Sequence, residues 1–243
     1  MPSYARRRLR VVLVIVALAS LGMWLRTSSL VQVDDVTVTG VEGRQAAEIR
    51  DVLTIAGLDT STLAVDEQAL RDAVSAYPIV RALRTSTDFP HGLRISVDVY
   101  EPVAALQHGN MLTAVAFDGT LLGGTVAKGL PVVGAKRRPP AGRVEDAETL
   151  RAIEVVSTAP TALRRRVERV FRSTRGLSAT VQDGPKLYFG GGRRLRAKWA
   201  AAAQVLADEG TQGTSYVDVR IPERPVAGGF LPANAIDSPS TLG

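Results

Sequence analysis

Leu93-Arg94-Ile95-Ser96-Val97-Asp98-Val99-Tyr100 alternates apolar and polar residues without a break. A strand sends successive side chains to opposite faces, so Leu93, Ile95, Val97 and Val99 share one face and their neighbours share the other. The stretch reads as a half-buried strand, and something apolar must cover its Leu93 face. Phe89-Pro90-His91-Gly92 before it is a turn, and Glu101-Pro102 closes it. Upstream, Ile79–Thr85 is a short run that reads as a second strand.

The cover comes from further upstream. Arg44–Ala56 places Ile49, Val52, Leu53 and Ala56 on one helical face, and Gly57 stops it. Asp66 is the N-cap of a second helix in which Leu70, Ala73, Val74 and Tyr77 share a face and which Pro78 ends. Before both helices, Val36-Thr37-Val38-Thr39 reads as a strand ending at Gly40. The order β-α-α-β-β predicts a three-strand sheet with two helices on one face.

The chain continues with Ala114–Phe117 and Thr120–Leu122 around Asp118-Gly119, a hairpin dipeptide. A helix is predicted over Glu145–Thr158, then strands over Val167–Ser173, Leu177–Gln182 and Lys186–Phe189. Arg193–Glu209 carries Leu195, Trp199, Ala202 and Leu206 on one stripe and stops at Gly210. Ser215–Ile221 reads as a strand, with Val217, Val219 and Ile221 facing one way. From Val226 the composition is Gly, Pro, Ser and Ala rich and reads as a disordered tail. The fold class is α+β.

At the other end, Arg6-Arg7-Arg8-Leu9-Arg10 precedes fifteen uncharged residues, Val11–Leu25. A span wants about 20 apolar residues, and Arg10 and Arg26 can snorkel to the two interfaces. With Arg6, Arg7, Arg8 and Arg10 before it, the segment reads as a membrane anchor with its N-terminus in the cytoplasm. Two rivals are a cleaved signal peptide, with Ala17-Leu18-Ala19 as the cleavage site, and a core helix.

Composition narrows the function classes. The 243 residues carry a net charge of +6, of which those four arginines supply +4 and the rest +2, so the basicity is no nucleic-acid footprint. There is no cysteine, and His91 and His108 are the only histidines, which argues against a metal centre or a thiol nucleophile. Phe189-Gly190-Gly191-Gly192-Arg193-Arg194 lacks the Lys-Ser/Thr pair of a P-loop and reads as a tight turn. Asp34-Asp35 point to opposite faces of a strand, so they read as a polar strand entry rather than paired catalytic carboxylates. Arg164-Arg165-Arg166 reads as solvated charge.

Several segments, in this order, carry a resemblance: Tyr77–Ala82, Phe89–Val97, Tyr100-Glu101-Pro102-Val103-Ala104, Leu130-Pro131-Val132-Val133-Gly134 and Tyr216-Val217-Asp218-Val219-Arg220. Behind an N-terminal anchor they resemble the FtsQ/DivIB family of division proteins, whose first unit is a POTRA domain. The spacing departs in two places, the acid–proline step at Glu101-Pro102 and the Asp118-Gly119 hairpin. The resemblance implies a cytoplasmic tail (1–10), a transmembrane helix (11–27), a POTRA domain (31–102), a β domain (103–225) and the tail (226–243). It implies a non-enzymatic, single-pass (type II) scaffold at the division septum of the cell membrane, with its folded domains outside the cytoplasm. Its partners would be FtsB- and FtsL-type single-span proteins, with no cofactor, nucleic acid or small-molecule substrate. The family's closing strand receives a partner strand, which implies partner contacts at Tyr216, Arg220, Ile221 and Glu223, with Lys198 in support. As the last strand before a tail, Tyr216–Ile221 is expected to be a free edge. The alternatives are a POTRA-bearing transport or chaperone module and an extracytoplasmic hydrolase.

Overall fold

The computed structural model describes residues 13–17, 20, 31–135, 139 and 142–230. Arg6, Arg7, Arg8 and Arg10, most of the expected 11–27 span and the tail from 231 onward lie outside the described residues. No helix among the described residues is long and apolar enough to cross a membrane. The chain divides into two units after Tyr100.

In the first unit, β1 (Asp35–Thr39) leads to α1 (Ala46–Leu58), α2 (Glu67–Ala73), β2 (Val80–Asp88) and β3 (Gly92–Val99). The strand that opened the sequence reading is the middle one, parallel to β1 and antiparallel to β2. A parallel pair needs a crossover, and the two helices lie within it. Leu93, Ile95 and Val97 are buried in one cluster with Ile49 and Leu53 of α1 and Leu70 of α2. Val99 departs from the pattern at 38% exposure, beside the register shift between Val80 and Ala82. Gly40 follows β1 because its φ is +87° and a Cβ there would lie 2.3 Å from the Val97 carbonyl oxygen.

Asp66 caps α2 as predicted, accepting hydrogen bonds from the N–H groups of Gln68 and Ala69 at 3.0 Å each. The helix ends at Ala73, earlier than the periodicity through Tyr77 predicts. The Ser75 N–H and hydroxyl both bond back to the Asp72 carbonyl, at 3.2 and 2.7 Å, which tightens the turn. β2 extends to Asp88, past the predicted Thr85.

The second unit holds β4 (Pro102–His108), β5 (Met111–Ala116), β6 (Leu121–Leu122), β7 (Val132–Gly134), α3 (Ala147–Ser157), α4 (Thr161–Arg164), β8 (Val167–Ser173), β9 (Gly176–Val181), β10 (Lys186–Gly190), α5 (Leu195–Ala207), β11 (Thr214–Asp218) and β12 (Val226–Phe230). They form one nine-stranded sheet, in the order β12-β11-β10-β9-β8-β7-β4-β5-β6. Asp118-Gly119 joins β5 to antiparallel β6, with Gly119 at φ +89° as a hairpin turn requires. Two neighbouring pairs are parallel through a helical crossover: β7 and β8 around α3, and β10 and β11 around α5. The stripes of both helices enter one core with the sheet. Ile153 and Val156 from α3 join Trp199 and Ala202 from α5, over Val170, Ala179, Leu187, Phe189 and Val217.

Two expectations are corrected at the C-terminal end. Val226–Phe230 is not tail but strand β12, antiparallel to β11 with Tyr216 opposite Gly228 and Asp218 opposite Val226. The free edge expected at Tyr216–Ile221 therefore moves one strand outward, because β11 lies between β10 and β12. The glycines that imitate disorder in the sequence have a packing reason. A Cβ on Gly228 would lie 2.6 Å from the Tyr216 hydroxyl oxygen, and Gly229 has φ +68°.

Trp199 is fully buried, so replacing it with alanine removes a large core side chain. Trp199→Ala is predicted to cost about 3–5 kcal/mol. The cost is read as a lowered denaturant midpoint, and an unchanged midpoint would contradict this account of the core.

Candidate partner-docking site

The residues singled out by sequence gather around one end of the sheet, in different roles. Tyr216 lies in β11 with its ring centroid 5.8 Å from that of Tyr188 in β10. The two tyrosines share a sheet face because Tyr188 pairs with Asp218, two residues along β11 from Tyr216. Above both rings sits Arg175 from the β8–β9 turn, its guanidinium carbon 4.7 Å from the Tyr188 centroid and 5.2 Å from that of Tyr216. This cation–π stack holds a long side chain in one place.

Arg220 follows β11 and turns back on Asp218. Its Nε donates to both carboxylate oxygens, at 3.0 and 2.9 Å, and the Arg220 N–H donates to the same carboxylate. Burial pushes the Asp218 carboxyl up, but the hydrogen bonds and charge of Arg220, with the charge of Arg175, outweigh it and hold the group below the usual carboxylate range. Glu223 pairs with Arg194 at the start of α5, and that hydrogen bond lowers the Glu223 pKa. Arg194 has φ +60°, so the helix entry is made by a non-glycine residue in the left-handed region. Ile221 lies between these two ion pairs, with 62% of its surface exposed.

Lys198 lies at the same end but is turned inward. It is 5% exposed, and its Nζ donates to the carbonyls of Phe189 and Gly191 at 2.7 and 2.8 Å. Burial lowers its pKa, with a further push from the Arg194 charge. It is an internal strut for the Gly190–Gly192 loop and presents almost no surface to a partner. The glycine run is thus a turn, as its sequence predicts, tied from behind by a lysine.

Beyond these residues lies β12, which sequence reasoning missed. It is a sheet edge, so the backbone groups on its outer side have no partner strand among the described residues. At its start Val226 is 54% exposed, which together with Ile221 gives the β11–β12 connection two exposed apolar side chains. Arg175, Tyr188 and Arg194 were also missed. Nothing local in Ser173-Thr174-Arg175-Gly176 marks that arginine as a stacking cation, because its partners are on β10 and β11.

The other candidates stay apart from chemistry. His91 Nδ1 is 3.0 Å from the Gln32 carbonyl oxygen and 3.6 Å from an Asp34 oxygen, at the entry to β1. Arg164 pairs with Glu101 at 3.1 Å. Among the described residues no group of three His, Cys, Asp or Glu side chains is placed to hold a metal ion.

Residues 31–98 match the model of the FtsQ-type POTRA domain, and residues 104–220 match that of the C-terminal region of the cell division protein FtsQ/DivIB. No curated protein matches the chain. Among solved structures, it is similar to the major extracytoplasmic domain of the trans isomer of the bacterial cell division protein DivIB from Geobacillus stearothermophilus. That likeness has a TM-score of 0.34 and 13% identity, and covers 46% of this chain and 99% of the other.

Two outcomes test the local chemistry. Lys198→Met removes the donor to the Phe189 carbonyl at the end of β10 and to the Gly191 carbonyl of the loop, and is predicted to cost about 1–3 kcal/mol. Faster hydrogen exchange at Gly190–Gly192 is the accompanying readout, and unchanged exchange would count against the strut. The lowered carboxyls of Asp218 and Glu223 contribute stability above the ordinary carboxylate range, and that contribution is lost as pH falls through their folded values. The unfolding midpoint should therefore drop below about pH 4. Arg220→Gln should shrink the drop, and an identical pH profile in that variant would remove Asp218 from the explanation.

Proposed function

The chain belongs to the FtsQ/DivIB family of bacterial cell division proteins, and we propose from that membership that it is a single-pass division scaffold whose β12 edge receives a strand from a membrane-tethered partner. The observation that carries this reading is the outer side of β12, which has no partner strand among the described residues, beside the exposed Ile221 and Val226. Strand addition supplies affinity through main-chain hydrogen bonds and specificity through side chains at alternate positions. FtsB- and FtsL-type single-span proteins are the partners this reading names. Ile221 and Val226 are the apolar anchors, and Tyr216 stands behind β12 as a rigid backing. Arg220 and Glu223 act mainly by fixing the β11–β12 connection through Asp218 and Arg194, and Lys198 supports them only through the loop it holds.

The rest of the scaffold reading follows from the N-terminus. Residues 11–27 serve as the membrane span, and Arg6, Arg7, Arg8 and Arg10 hold the tail on the cytoplasmic side. Tethering confines the POTRA unit and the β unit near the membrane surface. Partners carrying their own spans then meet them at a raised effective concentration. The role is recruitment and control of wall synthesis at the septum, exercised by binding rather than by catalysis.

Ile221→Asp and Val226→Asp each place a charge in the proposed interface without touching the core. Each is expected to weaken binding of the partner pair by about tenfold or more, as loss of an interface anchor does. Circular dichroism should stay unchanged, and full affinity in both folded variants would sink the docking claim. In cells, depletion of the protein should give filaments without septa, and normal septation would remove the division role itself.

A further inference from the structure

One end of the first unit is drawn together by a single buried residue. The Thr62 N–H donates to the Val31 carbonyl at 2.8 Å, and its hydroxyl lies 3.1 Å from that oxygen and 2.9 Å from the Pro90 carbonyl oxygen. The incoming chain, the α1–α2 connection and the β2–β3 turn therefore meet at one point. Two further bonds close the same end. The Val33 N–H donates to the Thr60 carbonyl at 3.2 Å, and the Asp34 N–H donates to the His91 carbonyl at 2.9 Å.

The residues next to that junction are apolar and lie in water. Leu63 follows Thr62 and is 53% exposed, and Phe89 precedes Pro90 and is 71% exposed. Leu58, the last residue of α1, is exposed as well. Single exposed apolar side chains are ordinary, but several around one junction mark a contact surface. The charges beside them are mostly acidic. Asp88 pairs with Arg94 at 2.7 Å, Asp34 lies 3.6 Å from His91 Nδ1, and Asp59 is exposed.

The length of chain before Val31 says what covers this surface. The span read in residues 11–27 ends four residues before Val31, and four extended residues reach at most about 14 Å. The headgroup layer on one side of a bilayer is itself about 5–8 Å thick. Thr62 is bonded to Val31, so the junction is held close to that layer. The other end of the unit, where α1 begins, lies about 20 Å away along the helix.

The geometry points to a lipid-contact surface at this end of the first unit, in which Leu63 and Phe89 enter the headgroup layer of the bilayer. The contact rests on the reading of residues 11–27 as a span and adds a second, peripheral hold to it. Two apolar side chains bind a membrane only weakly from solution, and a tether makes such a weak contact persistent. The acidic groups keep to water, which limits the depth, so the contact is apolar and needs no anionic lipid. It gives the unit one orientation on the membrane instead of free pivoting about residues 28–30. A protein partner would reach the same side chains only by entering the layer beside the bilayer, where lipid is already in place.

The chain has no cysteine, so a single introduced cysteine reports on its own position. The full chain is placed at one copy per phosphatidylcholine nanodisc, with a nitrobenzoxadiazole label at Leu63→Cys, Phe89→Cys, Ala47→Cys or Val14→Cys. Ala47 is exposed in the first turn of α1 and serves as the water control. Val14 lies in the segment read as the span. Lipid spin-labelled near its headgroup should quench the labels at positions 63 and 89 and blue-shift their emission, and leave the label at position 47 unchanged. Leu63→Asp in the Phe89→Cys chain should bring quenching at 89 down to the level at 47, with circular dichroism unchanged. Deep quenching at 14 with none at 63 and 89 overturns the proposal and leaves the span standing. No quenching at 14 by lipid labelled deep in its chains overturns the span reading and the proposal together. Equal quenching at 47 and 89 overturns the preferred orientation and with it the proposal. Labels at 63 and 89 that are shielded only after the partner pair is added assign the surface to a protein and overturn the lipid contact.

Discussion

The second unit depends on where one indole ring is held. Trp199 is fully buried, its ring centroid 4.7 Å from that of Phe189 in β10, and its Nε1–H donates to the Val155 carbonyl of α3 at 2.9 Å. A buried tryptophan needs a partner for its N–H, and here the partner is on a different helix. The one side chain thus joins α5, α3 and the sheet. The Val155 carbonyl is free to accept that bond because it lies near the C-terminal end of α3, where main-chain acceptors run out of helical donors.

The same anchoring sets the loop before α5. Lys198 precedes Trp199 and is carried inward with it, so its ammonium meets the carbonyls of Phe189 and Gly191. The price is a charge under burial, which lowers its pKa, and the return is a fixed turn between β10 and α5. With the turn fixed, Arg194 stands where Glu223 can reach it, and Glu223 in turn restrains the connection that leads into β12. The position of the outermost strand is thus linked, step by step, to a core tryptophan, and each link is a named contact.

Most of this was legible where the signal is local. Alternation through Leu93–Val99 identified the central strand of the first unit, and the stripe through Leu195, Trp199 and Ala202 identified the helix that fills the core of the second. Asp66 was legible as a cap because capping is a matter of neighbouring residues. What failed depends on contacts distant in sequence. Val226–Phe230 has too little alternation to read as a strand, and its glycines are there for Tyr216 and for a positive φ. Lys198 looks like any helix-surface lysine until the turn before it is built. Arg175 owes its fixed place to two tyrosines that β10 and β11 bring side by side. Even the family resemblance could not say that one more strand lay beyond the one it matched.

The sheet edges differ in how they are protected, and the difference bears on which of them is suited to a partner. Exposed edges resist accidental pairing when they are short or carry charge. In the first unit β2 bears Arg81, Arg84 and Asp88, with Arg84 paired to Asp98, and β1 opens with Asp35. At the far end of the second sheet, β6 is only two residues long. β12 has neither safeguard: Val226-Ala227-Gly228-Gly229-Phe230 is five residues with no charge. Glycines in a strand also raise the entropy lost on ordering it, so β12 is a costly strand to hold in place without added contacts. An unprotected edge that is also costly to order is one that gains most from a second strand laid along its outer side.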